Sequence, residues 1–112
     1  MIKRISLLTR KQGLSREQFN DHWLDIHAPF VEKLPGVIRY IQNHIVDDAH
    51  RHDLPSGNQT VDGFVEFWFE DVEAMDAAFA TKEAKEAFAD GAEFIESVTT
   101  FVIEEHLIID NS

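Results

Sequence analysis

The segment from Val61 to Phe69 constrains the fold more than any other, because it carries large apolar side chains on both faces of a predicted strand. Successive side chains of a strand point to opposite sides of its sheet. The two sets are Val65, Phe67 and Phe69 on one side and Phe64 and Trp68 on the other. A sheet that contains such a strand needs cover on both faces.

Three more strands and three helices are predicted around this segment. The strands run from Ile2 to Thr9, from Val37 to Val46 and from Val98 to Ile109. Ser15 and Gln18 have the spacing of a capping box at the start of the first helix. Asp71 is predicted to cap the second helix, whose apolar residues are Val72, Met75 and Phe79. Thr81 is predicted to cap the third helix, whose apolar residues are Ala84, Phe88, Ala92 and Ile95.

The element order β-α-β-β-α-α-β predicts one α+β domain over residues 1–112, of the ferredoxin-like βαββαβ kind. In this arrangement the helices cover one face of a four-stranded antiparallel sheet. Phe64, Trp68 and Val102 are then expected on the uncovered face, as part of an exposed apolar patch. A patch of that size is typical of an interface, so we predict a homodimer packed sheet to sheet.

Composition excludes several classes of function. The chain has no cysteine, which excludes thiolate catalysis, disulfides and cysteine-bound metal centres. Its formal net charge of −11 is unfavourable for binding nucleic acid or an anionic membrane surface. The N-terminal residues are too charged for a signal sequence, and no apolar run reaches the length of a membrane span. We therefore expect a cytoplasmic protein.

The candidate site lies on the first helix, between Phe19 and Leu34. On an α-helix, His22 and His27 fall on opposite shoulders of one apolar stripe. The residues of that stripe are Phe19, Trp23, Ile26 and Phe30. Two imidazoles beside an aromatic face can hold a small organic ligand and move protons on it. Pro29 lacks the N–H that would bond the Asp25 carbonyl, and therefore predicts a kink or break.

The second strand adds polar groups to the same region. Tyr40, Gln42 and His44 lie at every second position and are expected to face one way, together with Ile38, while Val37, Arg39, Ile41 and Ile45 face the other. The segment from Asp47 to Thr60 is longer than a normal hairpin connection and is predicted to be a lid or a mobile flap. Its His50 and His52 offer two imidazoles without a third ligand, so no metal site is predicted.

Each candidate also has a purely structural interpretation. His22 could bond a backbone carbonyl at the edge of the helix, and Trp23 could be a core residue. Tyr40 could pack in the core with its hydroxyl at a polar rim. His106, beside Glu104 and Glu105, is interpreted as part of a solvated rim.

The sequence resembles the EthD family, named for ethyl tert-butyl ether degradation, of the dimeric α/β-barrel superfamily. The resemblance rests on SREQFNDHWLDIHAP at 15–29, on LPGV at 34–37 with Tyr40 following, and on FVEFWFEDVEAM at 64–75. It implies a ferredoxin-like homodimer with a pocket between helices and sheet, and chemistry without metal or cofactor on aromatic-catabolism or polyketide intermediates. In the isomerase branch a helical histidine and a strand tyrosine serve the site, and these match His27 and Tyr40. The cysteine that also serves that branch has no counterpart here.

The resulting hypothesis is a cofactor-independent acid–base enzyme of isomerase, lyase or oxidoreductase type, acting on a small hydrophobic or aromatic molecule. Its predicted catalytic residues are His27, Tyr40 and His22, and its predicted substrate-binding residues are Trp23, Phe19, Phe30, Trp68 and His44. One alternative is a non-catalytic carrier that assists a partner oxygenase in ether or xenobiotic degradation. Another is haem binding through a histidine that faces an apolar slot.

Overall fold

The computed structural model describes residues 1–112. The strands are β1 (Ile2–Arg10), β2 (Arg39–His44), β3 (Gly63–Phe69) and β4 (Ile95–Ile103). The helical segments are α1 (Arg16–Asp21), a π-helical segment (His22–His27), α2 (Ala28–Val31), α3 (Val72–Phe79) and α4 (Lys82–Phe94). The predicted α+β architecture is confirmed, because the strands form one antiparallel sheet in the order β2-β3-β1-β4. None of the helices combines the length and the hydrophobicity needed to cross a bilayer.

The sheet register places side chains of all four strands in rows on the face that the helices cover. The first row is Tyr40, Phe67, Arg4 and Val102, and the second is Gln42, Val65, Ser6 and Thr100. The third row is His44, Gly63, Leu8 and Val98. The first row shows that Val102 lies on the helix side of the sheet. The prediction that Val102 belongs to the uncovered face is therefore wrong.

The opposite face of the sheet, which no helix covers, is called the outer face. Its apolar residues include Ile5, Leu7, Ile41, Phe64, Trp68 and Phe101. Trp68 lies under two cations, with Lys3 Nζ 4.6 Å and the Arg39 guanidinium carbon 5.1 Å from a ring centroid. Its indole N–H donates to Glu105 over 2.6 Å. The outer face thus combines half-buried apolar residues with a cluster of charged ones.

The first helix does not break at Pro29. Ser15 and Gln18 form the predicted capping box, and the helix then widens into the π segment. There the Ala28 N–H donates to the Trp23 carbonyl, five residues earlier, before α2 continues with Pro29 in its first turn. A π turn shifts the hydrogen bonds by one residue, so the chain accommodates the missing N–H of Pro29 without leaving the helix.

Three predicted boundaries or faces differ from the structure. β2 is shorter than predicted, and β4 begins at Ile95 and ends at Ile103 because α4 runs directly into it. The buried face of α4 consists of Ala84, Ala87, Gly91 and Phe94, not of Ala84, Phe88, Ala92 and Ile95. Phe88 is 52% exposed, since the helix is rotated so that its small residues face the neighbouring helix and the sheet.

Candidate active site

A cavity of about 400 Å³ lies between the helices and the sheet, where a ligand could reach groups from both layers. Its walls are mostly apolar, as is typical of small-molecule sites. The sheet contributes Arg4, Ser6, Leu8, Tyr40, Val65, Phe67, Ile95, Glu96, Ser97, Val98 and Thr100. The helical segments contribute Trp23, His27, Val31, Phe79, Ala87, Phe88, Gly91 and Ala92, and Leu34, which follows α2, completes the lining. Because Phe88, Ala92, Glu96 and Val98 are exposed, the cavity opens to solvent on the side of α4 and β4.

Asp90 of α4 joins the two histidines of the first helix. His27 Nδ1 lies 2.8 Å from Asp90 Oδ2, and His22 Nε2 lies 3.1 Å from Asp90 Oδ1. A carboxylate can only accept hydrogen bonds, so both of these ring nitrogens carry a proton and donate. The proton on Nδ1 leaves Nε2 of neutral His27 with a free lone pair, and Nε2 has no partner within the chain.

The π segment explains how both imidazoles reach one carboxylate. In an α-helix, residues five apart differ by about 140° in direction, because each residue turns the helix by about 100°. The wider π turn brings positions i and i+5 closer together in direction, and His22 and His27 have this spacing. The prediction that they flank the apolar stripe on opposite shoulders is therefore wrong. The same change leaves Ile26, predicted for the stripe, 51% exposed.

Burial keeps His27 in the neutral form near neutral pH. Removal from water lowers its pKa, and the hydrogen bond and charge of Asp90 act in the opposite direction without cancelling that effect. Its side chain is 13% exposed. A neutral imidazole with its Nδ1–H held by a carboxylate is suited to accept a proton at Nε2.

A hydrogen-bonded chain on β2 orients Tyr40. The Gln42 side-chain amide donates to the Tyr40 hydroxyl over 3.0 Å and to the Trp23 carbonyl over 2.9 Å. Its carbonyl accepts from His44 Nε2 over 2.8 Å. Burial raises the pKa of the Tyr40 hydroxyl, and the bond from Gln42 only partly opposes this. Tyr40 therefore keeps its own proton and can donate it in a hydrogen bond to a ligand oxygen.

The structure brings only some of the predicted site residues to the cavity. His27, Tyr40 and Trp23 line it, whereas His22 lies behind the wall and touches Asp90. Phe19 is fully buried between Trp23 and Phe94. His44 stacks on Trp23 with centroids 4.5 Å apart and does not line the cavity.

Two predicted substrate-binding residues lie away from the cavity. Phe30 is not in its lining and packs at the edge of the core, where Lys33 Nζ is 5.6 Å from its ring centroid. Trp68 lies on the outer face, because its neighbours Phe67 and Phe69 point to the helix side. Neither residue reaches a ligand in the cavity of the same chain, so the placement predicted for both is wrong.

The sequence pattern did not identify Asp90, Arg4 or Ser6 as parts of the site, whereas it placed Gln42 on the same face of β2 as Tyr40. Asp90 had one usable signal: it lies three residues after Ala87 and four before Phe94, on the small-residue face of α4. An acidic residue beside a buried helix face needs a partner, and the histidines of the first helix are suitable ones. For the other residues the strand register was required, and the sequence does not give that register.

Together these groups provide a proton acceptor and a hydrogen-bond donor on two residues, His27 and Tyr40, that line one mostly apolar cavity. His27 Nε2 can take a proton from a ligand and return it, while the Tyr40 hydroxyl stabilises negative charge on a ligand oxygen. Asp90 fixes the tautomer of His27 and stabilises the imidazolium form that proton transfer creates. This constellation is suited to proton transfer on a carbonyl or phenolic compound.

Solved structures share this architecture. An ethyl tert-butyl ether degradation (EthD) family protein from Bacillus halodurans superposes with a TM-score of 0.75 at 26% identity, over 95% of this chain and 99% of that one. A dimeric ferredoxin-like protein from Bacteroides fragilis has a TM-score of 0.67 at 12% identity, over 93% of this chain and 95% of that one. SnoaB, a cofactor-independent oxygenase from Streptomyces nogalater, has a TM-score of 0.64 at 11% identity, over 96% and 95% of the two chains.

These likenesses and the sheet topology define an α+β protein of the ferredoxin-like class. The family model of the EthD domain matches residues 11–97, a range that includes His22, His27, Tyr40 and Asp90. The chain therefore belongs to the EthD family. No curated protein matches it in sequence.

Proposed function

We propose that this protein is a cofactor-independent acid–base enzyme that moves a proton on a small hydrophobic or aromatic carbonyl compound. The observation that carries the proposal is the His27–Asp90 pair, in which His27 keeps Nε2 unpaired and lines the same mostly apolar cavity as Tyr40. A carboxylate bonded to one nitrogen and a vacant lone pair on the other is the arrangement that a general base requires.

The proposed reaction begins with removal of a proton from a carbon next to the ligand carbonyl. The electron pair of the C–H bond forms a C=C double bond, and the π pair of the carbonyl group moves onto its oxygen, where the Tyr40 hydroxyl stabilises the enolate. If the ligand is a β,γ-unsaturated carbonyl compound, His27, now protonated on Nε2, returns the proton to the γ carbon as the carbonyl group re-forms, which completes an isomerisation. If the ligand is a β-hydroxy carbonyl compound, His27 instead protonates the hydroxyl group, which leaves as water when the carbonyl group re-forms, and this completes a dehydration. Positioned acid–base groups of this kind contribute about 10² to 10⁴ in rate.

Proton exchange tests the proposal without knowledge of the natural substrate. β-Tetralone is a bicyclic aromatic ketone with an acidic C–H bond, and its deuterium uptake in heavy water can be followed by NMR. We expect wild-type protein to accelerate uptake, and His27→Ala and Tyr40→Phe to lose about 10²-fold or more of that acceleration. His106→Ala, which removes an exposed histidine, is the matched control and should keep the wild-type rate.

Two results would contradict the proposed function. One is full acceleration by His27→Ala, which would show that exchange does not depend on the proposed base. The other is tight binding of the ketone with no acceleration by wild-type protein, which would favour the carrier hypothesis. Titration calorimetry with the same ketone provides the binding measurement.

We also propose that the protein forms a homodimer through the outer face. This proposal is supported by the apolar residues on that face and by the dimeric ferredoxin-like proteins among its structural neighbours. Burial of a single sheet face at an interface of standard size would remove about 800 Å² from each partner. Such an interface would give β3 the cover on its second face that its sequence requires.

A further inference from the structure

We infer that the cavity takes a carboxylate-bearing ligand about one ring long, whose carboxylate is bound by Arg4 while its carbonyl meets His27 and Tyr40. This inference rests on the proposed function, since it names the substrate class of the same site. It depends on the position of Arg4, on the lack of a partner for its guanidinium, and on the sheet register.

Arg4 is a half-buried cation that lines the cavity without a hydrogen bond or ion pair within the chain. Its guanidinium carbon lies 4.2 Å from the centroid of the Phe79 ring. Stacking on an aromatic ring uses one face of the guanidinium and leaves the in-plane N–H donors available. Those donors match the two oxygens of a carboxylate.

The surroundings of Arg4 strengthen the need for an anion. Partial burial disfavours the charged form of its guanidinium and lowers its pKa, but an arginine remains protonated at neutral pH. Asp76 contributes a favourable charge, yet it forms no ion pair with Arg4. A ligand carboxylate would supply the close partner that the chain lacks.

The register sets the length of the ligand. Arg4 and Tyr40 both pair with Phe67, so they lie in one row with a single strand between them. Neighbouring strands are about 4.8 Å apart, which puts the two Cα atoms about 10 Å apart. A molecule with one aromatic ring fits this span, with its ring above Phe67. Ser6 and Thr100 share a hydroxyl hydrogen bond of 2.9 Å in the next row and leave one hydroxyl proton for a second polar contact.

Glu96, the acidic residue of the cavity lining, does not repel such a ligand. Glu96 precedes Val102 by six residues on β4, and Val102 pairs with Arg4. At about 3.4 Å per residue, Glu96 lies about 20 Å along the strand from the Arg4 row. It is also exposed to solvent, where water and salt screen its charge. The cavity therefore has a cationic end at Arg4.

Two probes that differ only in charge test this inference. para-Acetylbenzoate carries a carboxylate and a ketone across one ring, and para-acetylbenzamide is its neutral counterpart. Because hydrogen bonds to charged groups contribute more than neutral ones, titration calorimetry should show the wild-type protein binding the carboxylate about tenfold to a hundredfold more tightly than the amide. Arg4→Met should bring this ratio close to one, and Arg4→Lys should retain part of the preference.

The outcomes separate this inference from the proposed function. His27→Ala should keep the preference for the carboxylate, since its effect is on proton exchange. Equal affinity of wild-type protein for both probes, absence of binding by either, or an unchanged preference in Arg4→Met would overturn the carboxylate site. Proton exchange on the neutral β-tetralone could still depend on His27 in that case. Circular dichroism and thermal melting of each Arg4 variant establish that it is folded.

Discussion

The ring of Trp23 occupies the space that a side chain at Gly63 would need. A Cβ atom built at position 63 would lie 2.5 Å from Cζ3 of Trp23 and 2.9 Å from the Asn43 carbonyl oxygen. The φ angle of Gly63 is not in the left-handed region, so the backbone conformation does not require glycine here. Packing against Trp23 and Asn43 does require it. The contact lets Trp23 lie flat between the third row of the sheet and the first helix, with His44 stacked on it.

Gly63→Ala should therefore destabilise the fold by about 1–3 kcal/mol, the usual cost of overpacking a core. Urea unfolding followed by tryptophan fluorescence would measure this change. Gly57→Ala is the matched control, since a Cβ there meets nothing within 4 Å. Equal stability of the two variants would show that Trp23 moves aside at no cost.

Asp90→Asn should reduce kcat/KM for proton exchange by about 10²-fold or more while the protein remains folded. An amide in this place can donate as well as accept, so it no longer fixes the tautomer of His27 or stabilises its protonated form. The fall should appear mainly in kcat, because Asp90 does not line the cavity. Asp21→Asn, on the exposed side of α1, is the control. Wild-type kcat in Asp90→Asn would exclude the proposed role of this carboxylate.

Stability should decrease in acid because of two buried imidazoles. Burial lowers the pKa of both His27 and His44, so below about pH 6.5 the unfolded chain binds protons that the folded chain does not. The free energy of unfolding should fall as pH drops through this range, and above it these groups should have no effect. His27 alone can contribute a slope of up to about 1.4 kcal/mol per pH unit.

Urea unfolding at about pH 5.5 and about pH 7.5 would measure the slope, with His27→Gln expected to show a smaller one. His52→Gln, in the exposed segment between β2 and β3, is the matched control. A slope in His27→Gln as steep as that of the wild type would contradict the assignment.

Trp68→Glu should convert the proposed dimer into a monomer. The substitution would place a third carboxylate beside Glu66 and Glu105 and remove the ring on which Lys3 and Arg39 stack. Analytical ultracentrifugation would report the change in mass. Leu24→Glu adds the same charge at an exposed apolar residue of the π segment and should leave the oligomeric state unchanged. A monomeric wild-type protein would refute the proposed interface.

The segment between β2 and β3 should exchange its amide hydrogens fastest among the internal segments. Residues 47–60 form no regular structure, and no backbone N–H in this range donates to a backbone carbonyl; the Asp48 N–H bonds the Asp47 side chain instead. Hydrogen exchange measured by mass spectrometry should separate this segment from Asp62, whose N–H bonds to the Leu8 carbonyl. Slow exchange over 47–60 would contradict the predicted flap.

The fold was largely predictable because its determinants are local. The caps at Ser15, Asp71 and Thr81 are all present, and the alternation in β3 gave the buried face of that strand. The site was less predictable, since it depends on a departure from local rules. The π turn cannot be read from the apolar pattern, which assumes 3.6 residues per turn, and it changes the direction of His27 relative to His22. Asp90 was missed for a related reason, because its partner lies 63 residues away in the chain.

The direct passage of α4 into β4 has a consequence for how a ligand enters. Closure of a lid over an active site needs a few connecting residues that change their dihedral angles. Ile95 both ends α4 and begins β4, so no such residues separate the carboxylate of Asp90 from the strand that holds Thr100. Asp90 is therefore fixed to the sheet before any ligand arrives. Because the cavity already opens to solvent beside Phe88, a ligand can enter without such a closure, and little binding free energy is consumed in assembling the proton-transfer groups.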